Sequence, residues 1–250
     1  MCPETKKSPA QVLEERRRIW ESKEIIRRLY AKWYGLIKGA LKSGRTLELG
    51  GGSGNLKEFL PEAITSDIVF APWLDAVMDA HALPFKEESL DNVVVFDVLH
   101  HLAAPISFFQ ELQRVLRPNG RAIMMEPYVS WLSFPVYRFL HAEGMTWGID
   151  PFQEGTGEAK EPFEGNQAIP TLIFNKHRER FIRSSPCLKI AHEAKMDILL
   201  YPLSGGFHHP SFCPKFLWRV LELGEDLLKP FCKYLAFRLF LVLEKQRNPC

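Results

Sequence analysis

The feature that most constrains the fold is a glycine-rich turn directly after a short apolar segment. Residues 45–49 predict a buried strand, and Gly50, Gly52 and Gly54 follow it at alternate positions. Glycines in this arrangement permit a sharp turn and let a ligand approach the backbone closely. Open α/β sheets bind ligands at this place, beyond the carboxyl ends of their strands. The turn therefore predicts a ligand site at the end of the first strand.

Two common nucleotide-binding patterns do not fit this turn. In the dinucleotide pattern G-x-G-x-x-G, the third glycine falls on Asn55 when counting starts at Gly50, and on Lys57 when it starts at Gly52. A P-loop is excluded because no Gly-Lys-Ser/Thr sequence follows the glycines. NAD, FAD and nucleoside triphosphates are therefore disfavoured as ligands.

Short apolar strands alternate with helical segments along most of the chain. The predicted strands and helices, in chain order, are strands 45–49, 63–67, 75–79, 90–96 and 121–126 with helices 55–60 and 106–116, then helix 171–183 and strands 188–201 and 237–244. Such alternation is typical of a parallel sheet covered by helices on both faces. The predicted fold class is α/β, a Rossmann-like doubly wound sheet of about seven mostly parallel strands.

Two segments interrupt this alternation. Residues 141–170 are rich in glycine, acidic and aromatic residues, and residues 202–234 are partly helical. Long irregular loops in a compact domain are usually functional or disordered, and the aromatic residues here favour ordered lids. The predicted organisation is an N-terminal helical cap over 1–44 and one domain over 45–250 that carries both insertions.

The N-terminal segment is strongly basic. Residues 1–45 contain 12 Lys/Arg and 5 Asp/Glu, although the whole chain has 32 and 30. Apolar residues recur there at helical spacing and predict one or two basic amphipathic helices, with the arginines facing outward. The simpler interpretation is a helix with a solvated charged face. The alternative is peripheral contact with an anionic partner or membrane surface.

Cysteine use and hydropathy indicate a globular protein. The five cysteines are scattered and form no C-x-x-C, so neither a disulfide framework nor a zinc site is expected, and no metal is predicted. No uncharged apolar run is long enough to cross a bilayer. The first residues lack the apolar core of a signal peptide, so a cytoplasmic location is expected.

The turn and four later segments together resemble class I S-adenosylmethionine-dependent methyltransferases, in particular the type 11 group. Residues 48–54 fit the family's first motif, E/D-x-G-x-G-x-G. The other four segments are Asp67 at the end of the second strand, Asp79-Ala80 with Leu83-Pro84-Phe85, residues 90–102, and residues 111–120, which match E..RVLRPGG with Asn119 at the first glycine. The resemblance covers residues 45–128.

The resemblance implies S-adenosylmethionine as the cofactor and assigns residues to it. Asp67 would accept hydrogen bonds from the ribose hydroxyls, as one carboxylate can do for two donors. Asp79 would meet the adenine amino group, and the segment after the fourth strand would lie along the methionine part. The implied cofactor-binding residues are Glu48, Gly50, Gly52, Gly54, Asp67, Asp79, Ala80, Phe96, Asp97 and His101.

The chemistry of the implied cofactor leaves little for the protein to supply. Its sulfonium makes the methyl group electrophilic, so the protein must chiefly hold a nucleophile in line. A hydroxyl acceptor would also benefit from a base, for which His101, His141 and His208 are the leading candidates, followed by His100, Glu126, Glu143 and His209. The expected reaction is methyl transfer to a small-molecule, lipid or glycan acceptor under a lid.

Two other classes of function stay open. The sequence disfavours a nucleic-acid methyltransferase, because Asp97-Val98-Leu99-His100 stands where base-modifying enzymes of this fold carry an Asn-Pro-Pro-Tyr type sequence. A non-catalytic binding protein with this fold is the second alternative. The intact glycine turn and both acids argue against it, because a protein without the activity need not keep them.

Overall fold

The computed structural model describes residues 7–141, 143–153 and 161–247. Its elements in chain order are α1 (Pro9–Ser22), α2 (Glu24–Ala40), β1 (Thr46–Leu49), β2 (Ile64–Asp67), β3 (Ala76–Val77), β4 (Leu90–Phe96), α3 (Pro105–Val115), β5 (Leu116–Pro127), α4 (Ser133–Phe139), α5 (Ile169–Thr171), α6 (Arg178–Ser184), β6 (Leu188–Met196), α7 (Leu200–Ser204), α8 (Trp218–Leu228), α9 (Cys232–Leu235) and β7 (Arg238–Lys245).

The strands form one sheet in the order β3-β2-β1-β4-β5-β7-β6. The first five of these pair in parallel, and β7 lies antiparallel between β5 and β6. Leu49 lies beside Ser66 on one side and Val95 on the other, so β1, β2 and β4 end at the same level. The predicted Rossmann-like sheet is confirmed, and its register brings the ends of these three strands together.

Several predicted boundaries were wrong for local reasons. The helix expected over 55–60 is only a 3-10 turn, Asn55–Glu58, which follows Gly54 in the left-handed conformation. β5 begins at Leu116 rather than at residue 121, because Leu116 pairs with Leu90 ahead of an irregularity in the ladder. β6 ends at Met196 rather than near residue 201, because Asp197 has a φ of +61° and turns the chain.

The basic N-terminal segment forms two helices. α1 starts with a capping box in which Ser8 and Gln11 satisfy each other's backbone N–H groups. α2 buries one apolar stripe, including Leu29, Trp33 and Ile37, against the face of the sheet that carries Val94 and Ile123. Each such buried side chain contributes about 1.5–3 kcal/mol, so α2 is an integral layer of the core.

The two predicted insertions lie on the same side of the molecule as the strand ends. In the first, Gly144 pairs with Asn166 in an isolated bridge, and residues 142 and 154–160 of the predicted lid lie outside the described residues. The second contains α8 and α9. In the described parts of the chain, no helix combines the length and apolar character needed to cross a membrane.

One buried carboxylate ties the second insertion to the sheet. Glu225 on α8 accepts hydrogen bonds from the backbone N–H groups of Ile198, Leu199 and Leu200, in the turn between β6 and α7. On the other side of this turn, the Trp33 indole donates to Asp197 at 2.7 Å. The turn is therefore fixed from both α8 and α2.

We expect Glu225→Ala to lower the free energy of unfolding by about 2–4 kcal/mol, because it leaves three backbone donors without their acceptor. Asp226→Ala is the matched control, since this neighbouring carboxylate is exposed and pairs only at the surface with Lys229. It should cost less than about 0.5 kcal/mol. Urea denaturation of the two variants measures the difference, and equal losses would contradict the role of Glu225.

Candidate functional site

A cavity of about 1010 Å³ opens at the carboxyl ends of β1, β2 and β4. Its walls come from α1, α2, the segment after β4 and both insertions. It is lined by nine of the ten predicted cofactor residues, namely Glu48, Gly50, Gly52, Asp67, Asp79, Ala80, Phe96, Asp97 and His101. The tenth, Gly54, lies outside this lining, where it turns the backbone beside Trp73 with a φ of +77°.

The glycine turn forms the floor of the cavity. Gly50 has a φ of +70°, and a Cβ atom there would lie 2.1 Å from a methyl carbon of Val98. The Gly52 N–H donates to Asp67 at 3.0 Å, and the Trp73 indole donates to the Gly52 carbonyl at 2.8 Å. Only glycine fits at position 50, so the turn lies close against the segment after β4.

Two carboxyl groups face the cavity beside this turn. Burial, reinforced by the nearby charge of Asp67, raises the pKa of Glu48 to about 8. Burial also raises the pKa of Asp67, although hydrogen bonds from backbone N–H groups oppose the shift. Glu48 Oε2 has no hydrogen-bond partner among the described residues. A ligand with hydroxyl or amino donors would satisfy this end of the cavity, as the predicted cofactor would.

Asp79 lies further along the same wall, where it holds a short turn. Its Oδ1 atom accepts from the His81 backbone N–H at 2.9 Å and lies 2.7 Å from the His81 ring. The side chain is about half exposed, and both residues line the cavity. Its second oxygen remains suited to an amino donor, in keeping with the predicted contact to adenine.

A buried ionic network lies deeper in the cavity wall. The His100 ring bridges two carboxylates, with Nδ1 2.8 Å from Glu126 and Nε2 3.0 Å from Glu143. Glu126 also accepts from the backbone N–H groups of Val98 and Leu99. Burial alone would lower the pKa of His100, but the two carboxylates outweigh it and raise the pKa to about 10. His100 is therefore a fixed cation at neutral pH.

Glu143 connects this network to the first insertion and to α1. Burial would raise its pKa, but the His100 hydrogen bond and the neighbouring positive charge hold the pKa well below its usual range. It also accepts from Gln167 and lies 3.9 Å from an Arg16 nitrogen. A Cβ atom on Gly165 would come within 3.0 Å of both His100 and His101. The insertion therefore packs directly on the histidine pair.

The same residues raise the question of a metal site. Ligand-type atoms of His100, His101 and Glu143 lie within 4.8 Å of one another, as do those of Asp97, His100 and Glu126. A metal ion requires a neutral imidazole with a free lone pair, whereas both nitrogens of His100 carry protons shared with carboxylates. The negative charges of these carboxylates are already balanced by His100, Arg16 and Arg238. We therefore interpret the cluster as an ion-pair network rather than a metal site.

Arg238 is the main residue of the cavity that the sequence analysis missed. It is 1% exposed at the start of β7, and its guanidinium lies 2.7 Å from Asp97. Its charge lies 5.1–5.5 Å from the ring centres of Trp33, Phe96 and Tyr201. Asp97 has a φ of +55°, a strained conformation that the ion pair holds in place. The sequence did contain one indication of this residue, because an arginine begins a strand that is otherwise mostly apolar.

The three leading base candidates fall in two different places. His101 belongs to the network, and burial together with the His100 charge lowers its pKa to about 3. His141 and His208 line the cavity with ring centres 6.4 Å apart, and His141 adjoins the network, because its Nδ1 accepts from the Glu143 backbone N–H at 3.2 Å. Burial lowers the pKa of both residues. All three rings are therefore neutral at pH 7.

The expectation that the N-terminal arginines all face outward was wrong for Arg16. It lines the cavity, stacks over Phe163 at 4.9 Å and approaches Glu143, because the buried carboxylate needs a neighbouring cation. Nearby, Lys23 donates to the carbonyls of Gly206 and His209 in the second insertion. Arg18 and Arg28 do lie outside, paired with acids of their own helices.

The raised pKa of His100 makes stability depend on pH. Folding raises this pKa from 6.5 to about 10, so the stabilisation is fully present below pH 6.5 and is lost as the pH rises through 10. We expect the free energy of unfolding to fall by on the order of 3–5 kcal/mol across this interval. His100→Gln should show a smaller decrease in urea titrations at matched pH. The raised pKa of Glu48 affects the wild type and the variant equally. If the free energy of unfolding falls with pH at the same rate in both proteins, His100 is not the group responsible.

A family model matches part of the chain. Residues 47–124 match the family model described as a methyltransferase domain. The match contains the glycine turn, Asp67, Asp79 and the segment after β4. An uncharacterized 37.1 kDa protein in transposon TN4556 of Streptomyces fradiae is 45% identical over 49 residues, which make up 20% of this chain and 14% of that protein.

Solved structures share the fold at low sequence identity. A chain in the complex that contains the Haloferax volcanii Trm112 methyltransferase activator is 14% identical, with a TM-score of 0.52 over 98% of this chain and 100% of that one. A SAM dependent methyltransferase from Archaeoglobus fulgidus is also 14% identical, with a TM-score of 0.49 over 88% and 94%. The chain has the class I methyltransferase fold, and its residues 47–124 match the methyltransferase domain model, which confirms the resemblance seen in the sequence.

Proposed function

We propose that the protein binds S-adenosylmethionine at the glycine turn and transfers its methyl group to a small-molecule, lipid or glycan acceptor in the same cavity. The observation that carries this proposal is the extent of the cavity. It runs from the glycine turn and Asp67 to His141 and His208 in the two insertions. A cavity of about 1010 Å³ lies at the upper end of the range for small-molecule sites, so it can hold two ligands side by side.

The glycine-turn half of the cavity suits the cofactor. Gly50 and Gly52 present backbone to the ligand, while Asp67 and Asp79 offer acceptor oxygens for ribose hydroxyls and the adenine amino group. Glu48 and Asp97 would lie toward the methionine part. Glu48 has a buried carboxylate oxygen without a hydrogen-bond partner in the described chain, whereas Asp97 is already paired with Arg238. An ammonium group would satisfy the Glu48 oxygen.

The opposite half suits an acceptor that is partly apolar. Aromatic rings line it, and Tyr30 meets Phe207 edge-on at 5.7 Å. We propose that His141 and His208 are the titratable side chains that contact the acceptor there. Rings with few polar groups are the usual lining for ligands that are apolar with one reactive polar atom.

When bound, the cofactor supplies an electrophilic methyl group, and the chain must place a nucleophile in line with it. His141 and His208 are neutral, so either ring could accept a proton from a hydroxyl acceptor as it reacts. His101 is a weaker base, because its neighbour His100 is already a cation. We therefore assign proton acceptance to the His141–His208 end and orientation of the wall to the His100 network.

The helical cap and the two insertions complete this proposal as parts that close the cavity. Arg16 and Lys23 hold α1 to the first and second insertion respectively. Opening these contacts would admit ligands, and closing them would exclude water from the transfer. Under this proposal the protein acts as an enzyme in the cytoplasm.

The cofactor assignment is tested by removing the carboxylate of Asp67. We expect Asp67→Ala to weaken S-adenosylmethionine binding by about 1.5–3 kcal/mol, roughly 10- to 150-fold in Kd, the scale of hydrogen bonds to a charged group. Isothermal titration calorimetry measures the change, with Asp226→Ala as a carboxylate control outside the cavity. Unchanged affinity in a folded Asp67→Ala protein would remove this residue from the site.

The acceptor assignment is tested by formation of S-adenosylhomocysteine with panels of small hydroxyl and carboxyl compounds, lipids, lipid-linked glycans, tRNA and DNA. We expect turnover with one of the first four groups. His208→Gln should then slow transfer to a hydroxyl acceptor about 100-fold or more. His192→Gln, on the exposed side of β6, is the control. Turnover with nucleic acid alone would favour the second class of function, and absent cofactor binding would favour a non-catalytic role.

A further inference from the structure

The second insertion carries an exposed apolar stripe. Six large apolar residues recur every three or four positions from the turn before α8 through α9: Phe216, Val220, Leu223, Leu227, Phe231 and Tyr234. Their exposed fractions lie between 42% and 80%. The spacing places Val220, Leu223 and Leu227 on one face of α8, and the other three continue this exposed apolar row in the turns and the short helix on either side. We call this row the apolar stripe.

The orientation of α8 shows that the stripe is not a misplaced core face. Its inward side carries Trp218 and Glu225, and Glu225 is anchored by three backbone N–H groups. A helix that simply covered the sheet would bury its apolar stripe and expose its glutamates. Here a buried carboxylate fixes the rotation of α8 and directs Val220, Leu223 and Leu227 away from the protein.

A second group of exposed apolar residues adjoins the stripe. Trp131 is 81% exposed, and its ring lies 5.2 Å from that of Tyr234. The segment it begins exposes Trp131, Leu132, Phe134, Phe139 and Leu140. With five such residues in 131–140 and eight in 212–234, these two segments hold thirteen of the nineteen exposed large apolar side chains of the described chain. An apolar surface of this extent marks an interaction site.

The charges around this surface are mainly positive. Arg138, Arg219, Lys229 and Lys233 are exposed on the two segments, whereas the acids there are the exposed Asp226 and the half-buried Glu222. Arg138 lies over the Phe139 ring and Lys233 over the Tyr234 ring. Exposed aromatic and aliphatic side chains flanked by lysine and arginine are typical of helices that lie at the surface of an anionic bilayer.

The cavity opens onto this same surface. Leu140, directly before the first insertion, and Phe212, in the second insertion, are both about two-thirds exposed, and both line the cavity. His141 and His208 also line it. An apolar molecule could therefore pass from the surface into the acceptor half of the cavity along Leu140 and Phe212.

We infer that the apolar stripe and residues 131–140 form a docking surface for an anionic lipid bilayer, with the stripe lying in the interface and the cavity mouth facing the lipid. This surface differs from the basic N-terminal segment, whose exposed Arg18 and Arg28 pair with acids of their own helices. Within the proposed methyl transfer, docking favours a membrane lipid as the acceptor. That consequence rests on the proposed function, whereas the docking itself does not.

Sedimentation of the full-length chain with sucrose-loaded vesicles tests this inference without cofactor or acceptor. We expect binding to phosphatidylcholine vesicles that contain phosphatidylglycerol, and weaker binding to phosphatidylcholine alone. Leu223→Ser, Leu227→Ser and Phe231→Ser combined should reduce the bound fraction about tenfold or more. Phe70→Ser, Val77→Ser and Ile182→Ser combined remove comparably exposed apolar side chains elsewhere and should leave binding unchanged.

The electrostatic part is tested separately with Arg138→Gln and Lys233→Gln. Each should weaken binding to anionic vesicles about fivefold at low salt and leave binding to neutral vesicles unchanged. Wild-type protein that stays in solution with both vesicle types would overturn the inference, as would equal binding of the two triple variants. A wild-type dimer that the stripe variant abolishes would assign the surface to a second copy. Calorimetry with S-adenosylmethionine reports separately on the proposed function.

Discussion

The structure around the cavity depends on charge compensation inside the protein. Glu126 and Glu143 are withdrawn from water and Asp97 is partly so, and an unpaired carboxylate there would be destabilising. Their partners are His100, Arg16 and Arg238, which lie far apart in the chain. Each ion pair therefore joins two elements. Glu126 and His100 join β5 to the segment after β4, Glu143 and Arg16 join the first insertion to α1, and Arg238 and Asp97 join β7 to the segment after β4. Electrostatic compensation thereby fixes the shape of the cavity wall.

The sequence was sufficient to predict the parts of the site that are built locally. The glycine turn, Asp67 and Asp79 each directly follow or closely accompany a short strand, so their positions follow from strand order alone. β4 was equally clear, because its β-branched residues are buried on both faces of the sheet. Parallel pairing of β1, β2 and β4 then brings these residues together. Local pattern and topology together were enough for the glycine-turn end of the cavity.

The remainder depends on contacts that no local pattern encodes. Arg16 and Gln167 lie far apart in the chain but both contact Glu143, and nothing in their own segments indicates a shared partner. Arg238 opens an apolar strand whose position between β5 and β6 is set by tertiary pairing. The limits of β5 and β6 also depend on single residues, such as Asp197 with its positive φ. The rest of the cavity wall is therefore a property of the assembled fold.

The position of β7 has a consequence for how the protein is made. This strand follows all the other strands in the chain but lies inside the sheet, between β5 and β6. When only the residues up to β6 have left the ribosome, the place of β7 between β5 and β6 is therefore still empty. Non-local strand pairing of this kind forms slowly. Arg238 arrives with β7 itself. Until that moment Asp97 lacks its cation, so the nascent chain can complete its core and its binding cavity only in a single late step.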